Sequence, residues 1–495
     1  MNPRNRLHRG TLVVAREVLS SRASMRPFAR FSSWLFWVST VASLAAGPAA
    51  RADEAAAIDA PAPTRSMTMA EALAYARDHQ PAIRAALARV AARAAEAEIP
   101  SGQWLPTVGV TAQVFGMTAN NTTGTYEQPS FLDLPRIGAT PATTAGTWSP
   151  YPSTLVGAGV LQEVFDFGRI GAKRAAADAI IDVARHSADA VELDVDFGVE
   201  EAFFAVLAAK SVVTASDDAY ERAHIHRDLA QAGVRSGLRS PIELTRAEAD
   251  LAHFDIGRVR ARGGLAVAQS VLAAAMGAPD PAIDVSGGAP KPAEMPALPE
   301  AVRLAEARDP ALAAALAELE AAERRTRAVG AELRPDLSFT ATLSGRAGGA
   351  RPNGDALPTG DGWVPDVPNW DVGLLLGWPI FDGTVAARRN AALADEGVRR
   401  STIDVEREQA VARVRQTYVS AQVARSTLTA LAGAVVAAHA NYDQADARFR
   451  AGIGNAVELA DAEAVRTDAE IQLALGQFEL ARTRAAFGRA IAEGL

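Results

Sequence analysis

The chain of 495 residues contains no cysteine. This absence excludes disulfide bonds, thiolate metal sites, a cysteine nucleophile and a lipid-modified N-terminal cysteine. Basic residues are not in excess, because 50 lysines and arginines face 58 aspartates and glutamates, giving a net charge of −8. The charge balance therefore does not indicate a nucleic-acid partner. Aromatic residues are scarce at 6%, and with 49% hydrophobic and 22% charged residues the composition is neither disordered nor typical of a helical membrane protein.

The first part of the chain has the pattern of an export signal. Three arginines precede an apolar stretch at 34–46, which is shorter than the roughly 20 residues that a transmembrane helix needs. Ala50 and Ala52 then form an A-x-A cleavage pattern. We therefore predict a signal peptide over residues 1–52 and a mature chain that begins at Asp53.

Two alternatives at this end stay open. The start codon is either Met1 or Met25, and the apolar stretch is alternatively an uncleaved membrane anchor. Residues 1–52 hold eight arginines and one glutamate, so the remainder would carry a net charge of −15. The sequence thus predicts an acidic protein that works outside the cytoplasm.

Internal repetition is the strongest feature of the chain, because three stretches of the first half recur in the same order in the second half. The matching pairs are 67–108 with 296–337, F-D-F-G at 165–168 with F-D-G at 381–383, and 234–248 with 449–463. A tandem duplication explains this order. The predicted domains are a first copy over 67–278, a Pro/Gly linker over 279–295 and a second copy over 296–493.

Each copy has the same predicted order of elements. A helix interrupted by proline leads to a strand, and a loop rich in Gly, Thr, Asn and Pro, at about 117–152 or 346–369, leads to a second strand. Leu337 to Ser344 alternate apolar and polar residues with a period of two, and Trp370 to Trp378 do the same. Each copy therefore contributes two strands.

Long helices follow each strand pair. From Gly168 to about Arg235, and from Thr384 to about Arg450, the chain has no proline and little glycine. Helices of this length span about 100 Å at 1.5 Å per residue. Each is followed by a turn that contains glycine and by another helix. Long alanine-rich helices of this kind pack against neighbours in coiled-coil fashion.

The four predicted strands suit a membrane. Their length of about ten residues matches that of tilted strands that cross a bilayer. All five tryptophans beyond the signal peptide lie in or near these strands, as in interfacial girdles, although tryptophans also mark the cores of ordinary sheets. They are Trp104, Trp148, Trp363, Trp370 and Trp378. Four strands cannot close a barrel, and an open edge cannot stand in lipid, so several subunits must share the barrel.

The chain resembles the TolC-like outer-membrane efflux proteins. The resemblance rests on the duplicated opening (L/M)xEALxxAxxxxPxI, the proline before each first strand, the F-D-x-G strand exits and the turn RxGxxxxxELxxAE. It covers nearly all of the chain after the signal peptide. It implies a mixed α/β membrane protein in the outer membrane: a homotrimer whose twelve-stranded β-barrel, with four strands per chain, continues as a long α-helical coiled-coil barrel in the periplasm.

The resemblance also implies a function. Such trimers dock onto a periplasmic adaptor protein and an inner-membrane pump or ABC transporter, and we expect an exit duct for small-molecule drugs or toxic compounds. An exit duct for type I protein secretion uses the same architecture. A structural coiled-coil envelope protein is the alternative of a different class, but it does not explain two strand pairs. No nucleophile–base or metal constellation indicates an enzyme, and no cofactor or metal is predicted.

Site residues follow from the same resemblance. It places a gate at the closed periplasmic mouth, with Glu458 and Asp461 on one helical face and Glu243 at the matching place in the first copy. A solvated acidic stretch is the alternative. Adaptor contacts are expected at the two glycine turns, whose glycines alternatively serve only as C-caps. The expected contact residues are Gly237, Leu238, Gly452, Ile453 and Arg450.

One position departs from the family pattern. The usual arginine after the glycine of the second turn is absent, because Gly454 stands there. Arg239 and Arg450 are the candidates to replace it.

The remaining motifs have simpler interpretations. Asp166 and Asp382 are expected to cap the helices that start at the strand-to-helix junctions, next to Gly168 and Gly383. Asp166-Phe167-Gly168 and His226-Arg227-Asp228 mimic kinase signatures, but in the reverse order and without a phosphate-binding loop. His224 and His226 point to different faces of a helix, so no metal site is predicted there.

Overall fold

A computed structural model describes residues 66–117, 151–279, 283–287, 294–347, 363–365 and 367–493. These residues belong to one compact unit, Pro61–Leu495. The predicted signal peptide and most of the two predicted loops, at about 117–152 and 346–369, lie outside the described residues.

The described part contains eight helices and four strands. In the first half they are α1 (Met69–His79), α2 (Pro81–Gly102), β1 (Thr107–Met117), β2 (Tyr151–Phe165), α3 (Arg169–Arg235) and α4 (Pro241–Met276). In the second half they are α5 (Leu298–Arg308), α6 (Pro310–Ala331), β3 (Asp336–Ala347), β4 (Val367–Gly377), α7 (Gly383–Arg450) and α8 (Ala456–Ala490). The two halves therefore have the same order of elements.

Proline sets the boundaries of the first two helices in each half. Pro81 begins α2 and Pro310 begins α6, because proline lacks the N–H that an interior position would use. Asp309 caps α6 by accepting hydrogen bonds from the N–H groups of Ala311 and Leu312. The predicted interruption of each helix at proline is confirmed.

The long helices form two antiparallel hairpins, α3 with α4 and α7 with α8. Helices α3 and α7 have 67 and 68 residues, so each is about 100 Å long. Half of their buried residues are alanine, such as Ala202, Ala219 and Ala421. Small side chains let the helix axes approach closely, and α3 also packs against α8, which joins the first hairpin to the second.

Part of the predicted linker is built into the core. The Met67 N–H donates to the carbonyl oxygen of Asp284 over 3.0 Å, and the Ser286 N–H donates to that of Met67 over 2.8 Å. Ile283 and Val285 are buried in the cluster that α1, α3 and α4 share. This short pairing fastens the junction between the halves to the start of the described chain.

A single four-stranded antiparallel sheet lies at one end of the long helices. The strand order is β1-β2-β3-β4, so β2 of the first half pairs with β3 of the second half. The strands have 11, 15, 12 and 11 residues. Strands β1 and β4 form the two edges.

Candidate functional site

One face of the sheet is mostly apolar across all four strands, and it is exposed on β1 and β4 and half-buried to exposed on most of β2 and β3. Val108, Val160, Ala341 and Val372 lie opposite one another in a single row. On β4 this face continues with apolar side chains that are between 61% and 72% exposed, namely Trp370, Val372, Leu374 and Leu376. The apolar face predicted for Trp370 and its neighbours is thus present, and it extends over the whole sheet.

The opposite face holds most of the polar side chains of the sheet, together with leucines such as Leu155 and Leu375, and it is buried on β3. Gly109, Gly159, Thr342 and Asp371 form one row on this face, and the Thr342 hydroxyl donates to the Asp371 carboxylate. The serines and threonines of β3 on this face are between 5% and 9% exposed: Ser338, Thr340, Thr342 and Ser344. The sheet is therefore the reverse of one in a water-soluble protein, whose buried face is apolar.

Tryptophans near the sheet are exposed as well. Trp363, Trp370 and Trp378 are at least 60% exposed, and Trp104 is exposed to a lesser degree. The interpretation as core tryptophans is therefore wrong for these four residues. Trp148 lies outside the described residues.

The first strand-to-helix junction is a tight turn. Phe167 and Gly168 both have positive φ, at 53° and 87°, and Gly168 is the N-cap of α3. The buried Asp166 carboxylate accepts hydrogen bonds from the N–H groups of Gly168 and Ile170. The prediction that Asp166 is the N-cap is therefore wrong by two residues, because Phe167 and Gly168 separate it from the helix, although it still bonds to the first turn.

The second junction is simpler. Asp382 is the N-cap of α7, as predicted, and its carboxylate accepts from the N–H groups of Thr384, over 2.7 Å, and Val385. These bonds lower the pKa of the Asp382 carboxyl. Gly383 is the first residue of the helix. The second half lacks a counterpart of Phe167, so helix α7 begins directly after the aspartate.

Both hairpin turns have the same backbone. Gly237 and Gly452 have φ values of 71° and 74°, which disfavour residues with a side chain. At each turn the glycine N–H and the next N–H bond back to the last turn of the helix: Leu238 donates to Gly233 and Ile453 to Arg448. This is the Schellman motif. The glycines are therefore C-terminal caps, and the next residues, Leu238 and Ile453, are 84% and 74% exposed.

Arg239 connects the two turns. Its Nη1 contacts the Glu243 carboxylate over 3.0 Å, and its Nη2 donates to the Phe449 carbonyl oxygen over 3.1 Å. The guanidinium carbon also lies 3.8 Å from the centre of the Phe449 ring, in cation–π geometry. Arg450, in contrast, pairs with Asp446 on its own helix. Of the two arginines considered as replacements for the missing one, Arg239 makes the connection.

Gly454 stands where the backbone leaves no room for a side chain. A Cβ atom there would lie 2.9 Å from the Phe449 nitrogen and 3.1 Å from the Arg448 carbonyl carbon. Steric exclusion accounts for the glycine at this position.

The acidic residues assigned to the gate lie at the starts of the return helices. Glu458 is in the first turn of α8 and pairs with Arg448 over 3.5 Å, while its N–H donates to the Asn455 cap. Asp461 is exposed one turn later. Glu243, in the first turn of α4, contacts Arg239. The three carboxylates are therefore grouped near the turns, and Glu243 is tied to the connection between them.

A buried ionic network between α3, α7 and α8 was not predicted from the sequence. The Arg222 Nε atom contacts the Glu463 carboxylate over 2.8 Å, and Glu463 is only 2% exposed. Burial raises the pKa of the Glu463 carboxyl, and Arg222 offsets part of that effect. Glu470 accepts from both His439, over 2.7 Å, and Arg466, over 3.1 Å. No sequence motif marks these residues.

The two histidines of the H-x-H pattern have separate partners. His226 Nε2 lies 3.0 Å from the Tyr442 hydroxyl of α7, whereas His224 Nε2 lies 2.8 Å from Arg227 on its own helix. Within the described residues, no group of three or more histidines and carboxylates is arranged to hold a metal ion.

A family model now decides the class of protein. The model described as "Outer membrane efflux protein" matches residues 72–278 and 301–493. The chain belongs to the outer membrane efflux protein family. The family and the fold are those of outer-membrane channels rather than of enzymes.

Individual relatives agree with this assignment. Protein CyaE of Bordetella pertussis is 28% identical over 431 residues, which cover 85% of this chain and 84% of CyaE. The outer membrane channel CmeC of Campylobacter jejuni matches with a TM-score of 0.66 at 16% identity, covering 86% of each chain. The open state of the MtrE channel of Neisseria gonorrhoeae gives 0.64 at 19% identity, covering 86% of this chain and 89% of MtrE. The structures establish the fold.

Proposed function

We propose that three copies of this chain form the outer-membrane exit duct of a tripartite export system. Their sheets would close a twelve-stranded barrel in the outer membrane, and their hairpins would continue it as a helical tunnel through the periplasm. A periplasmic adaptor and an inner-membrane pump or ABC transporter would deliver the cargo. The loops at 117–152 and 346–369 would face the outside of the cell.

The reversed sheet carries this proposal. An exposed apolar face with a polar opposite face is the pattern of a strand set that meets lipid on one side and a water-filled lumen on the other. Hydrocarbon offers no hydrogen-bond partners, so the outer backbone edges of β1 and β4 must pair with other strands there. Neighbouring copies of the chain supply such strands.

Side-chain substitution on the two faces tests the sheet. Val372→Arg would place a charge on the apolar face near the middle of β4, where arginine costs about 2–4 kcal/mol in a bilayer. Leu375→Arg, at an exposed position on the opposite face of the same strand, is the matched control. We expect Val372→Arg alone to reduce the amount of folded protein in outer-membrane fractions. Equal losses for both variants would contradict the assignment of the faces.

The gate is proposed at the periplasmic mouth, where the turns lie. Three chains would bring six carboxylates of Glu458 and Asp461 together and favour cations over anions. Replacing both residues by alanine should reduce cation selectivity and block by divalent cations in planar bilayers. The control replaces Asp404 and Glu408, two exposed acids on α7 that are more than 40 residues from the turn. Unchanged selectivity in the first double variant would contradict the gate, though not the duct.

Small-molecule drugs or toxic compounds are the proposed cargo, and protein secretion is the alternative. Deleting the gene and comparing the accumulation of dyes and antibiotics with the level of secreted proteins separates the two. Dye accumulation without a secretion defect supports the small-molecule duct. A secretion defect alone supports the alternative.

The exposed residues of the two turns are the proposed adaptor contacts. Leu238 and Ile453 project from caps whose glycines leave open space around them, so an approaching helical tip meets no obstacle. Changing both to aspartate should abolish adaptor crosslinking while the protein still assembles. Loss of assembly would instead show that these side chains serve the protein's own packing.

A further inference from the structure

A small cavity lies between the four long helices near the glycine turns. Each helix contributes to its wall, for example with Ala230 of α3, Phe254 of α4, Phe449 of α7 and Ala460 of α8. The cavity volume is about 40 Å³, which is enough for about three water molecules at roughly 10–15 Å³ each. The cavity is therefore too small for a drug-sized ligand but large enough to admit water.

His226 lines this cavity and joins the two hairpins. Its Nε2 lies 3.0 Å from the Tyr442 hydroxyl, and its ring meets the Phe449 ring edge-on with centres 6.3 Å apart. Its Nδ1 is buried and has no hydrogen-bond partner among the described residues. Nδ1 therefore suits a bare lone pair, and protonating it would place a positive charge at a buried site, which is costly without a pairing group.

We propose that His226 is an acid-sensitive contact between the first and second hairpins, and that protonating its ring lets the two turns separate. The inference concerns helix packing and rests on the proposed function only for its consequence at the mouth of the duct. Arg239 makes the connection at the turns themselves, so His226 acts as a second contact deeper in the hairpins.

Charged groups from every neighbouring helix face this histidine. They are Arg222 on α3, Glu243 and Asp250 on α4, Asp446 and Arg450 on α7, and Glu463 on α8. Burial lowers the pKa of His226 from its ordinary 6.5, Arg450 and Arg222 lower it further, and Asp446 opposes them. Burial also raises the pKa of Tyr442 to about 12, so the phenol stays protonated.

The direction of the pH effect follows from these shifts. When the hairpins separate, the pKa of His226 returns towards 6.5, so the separated state binds more protons than the packed state. The packing free energy is complete above pH 6.5 and is lost as the pH falls towards the lowered pKa. Burial raises the pKa of Asp250 and of Glu463, so their protonation acts in the opposite direction and favours packing in acid.

Distance measurements between the turns test the proposal. Because the chain has no cysteine, Leu238→Cys and Ile453→Cys provide unique sites for two spin labels in the full-length protein. Diluting labelled chains with cysteine-free chains keeps each measured pair within one chain. We expect the distance distribution to widen between about pH 8 and pH 5, the range in which histidine changes charge. The same sample must narrow again on return to pH 8.

Two variants assign the effect to one side chain. His226→Gln keeps a hydrogen-bonding group for Tyr442 but cannot take a proton, so the distances should not widen in acid. His224→Gln, two residues away on the same helix, should widen like the parent. Absence of widening in the parent, or equal widening in His226→Gln, would overturn the proposal.

A second measurement covers the case in which His226→Gln does not fold. Titration of the histidine ring signals by NMR in the intact protein should give His226 a pKa below 6.5. A value at or above 6.5 would overturn the proposal. Neither measurement needs conduction or an adaptor, so failure here is distinguishable from failure of the duct itself.

Discussion

The two hairpin turns have the same backbone conformation, but glycine and arginine are exchanged between two equivalent positions. Both end in a Schellman cap at a glycine with positive φ. The first turn has Gly233 in the last helical turn and Arg239 after the cap, whereas the second has Arg448 and Gly454 at the equivalent places. A Cβ at Gly233 would lie 2.6 Å from Arg239 Cδ, and one at Gly454 would lie 3.1 Å from Arg448 Cβ.

The exchange shows that each turn has room for one side chain at this pair of positions. In the first turn that side chain is Arg239, which reaches Phe449 and so crosses to the second hairpin. In the second turn it is Arg448, which pairs with Glu458 of its own hairpin. The two turns therefore have different roles despite the same backbone conformation. The first turn donates a hydrogen bond from Arg239, and Phe449 before the second turn accepts it.

The largest effect is expected from placing arginine at both positions of the second turn. Gly454→Arg gives the second turn both arginines and forces Cβ against the backbone nitrogen of Phe449, at a cost of about 1–3 kcal/mol from overpacking. Urea unfolding of the detergent-solubilised protein, followed by circular dichroism, measures the change. The swap of Arg448→Gly with Gly454→Arg should recover part of the loss, because it removes the 3.1 Å contact with Arg448 Cβ while the backbone contacts remain. No recovery would contradict the one-side-chain rule.

A smaller effect is expected from removing the connection. Arg239→Ala loses the contacts to Glu243 and to the Phe449 carbonyl, worth about 1–2 kcal/mol for a partly exposed charged hydrogen bond. Arg450→Ala, which removes an arginine that pairs within α7, is the matched control. Hydrogen exchange of the amides around the turns should accelerate only in Arg239→Ala. Similar acceleration in both variants would show that Arg239 does not join the turns.

The smallest effect is expected from removing the aspartates at the two strand-to-helix junctions. Asp382→Ala removes a solvent-accessible cap and should cost little, whereas Asp166→Ala leaves two N–H groups unpaired at a buried site and should cost about 2 kcal/mol. The comparison uses the same urea titration for both variants. A larger loss for Asp382→Ala would mean that burial of Asp166 adds nothing.

Sequence patterns foresaw the order of elements, the long helices and the alternation of Phe339 and Thr340 on the sheet, because periodicity and the placement of proline and glycine are local signals. The contacts of Arg239 with Phe449 and of Arg222 with Glu463 could not be foreseen. Each joins residues more than 200 positions apart, and its partner depends on how the hairpins pack. The prediction that Asp166 is the N-cap was wrong for a local reason, because the αL conformation of Phe167 is uncommon in residues other than glycine.

The two edge strands of the sheet belong to different halves of the chain. If copies of the chain close a barrel, β1 of the first half must lie beside β4 of the second half of a neighbour. The barrel would then alternate first and second halves around its circumference.

Disulfide crosslinking across this edge tests the central claim most directly. The chain has no native cysteine, so single cysteines scanned along Thr107–Met117 and along Val367–Gly377 report only the designed pairs. On outer membranes, we expect crosslinks between β1 and β4 of different chains in one register, giving a ladder that stops at three chains. Crosslinks confined to a single chain, or a ladder that stops at another number, would contradict that claim.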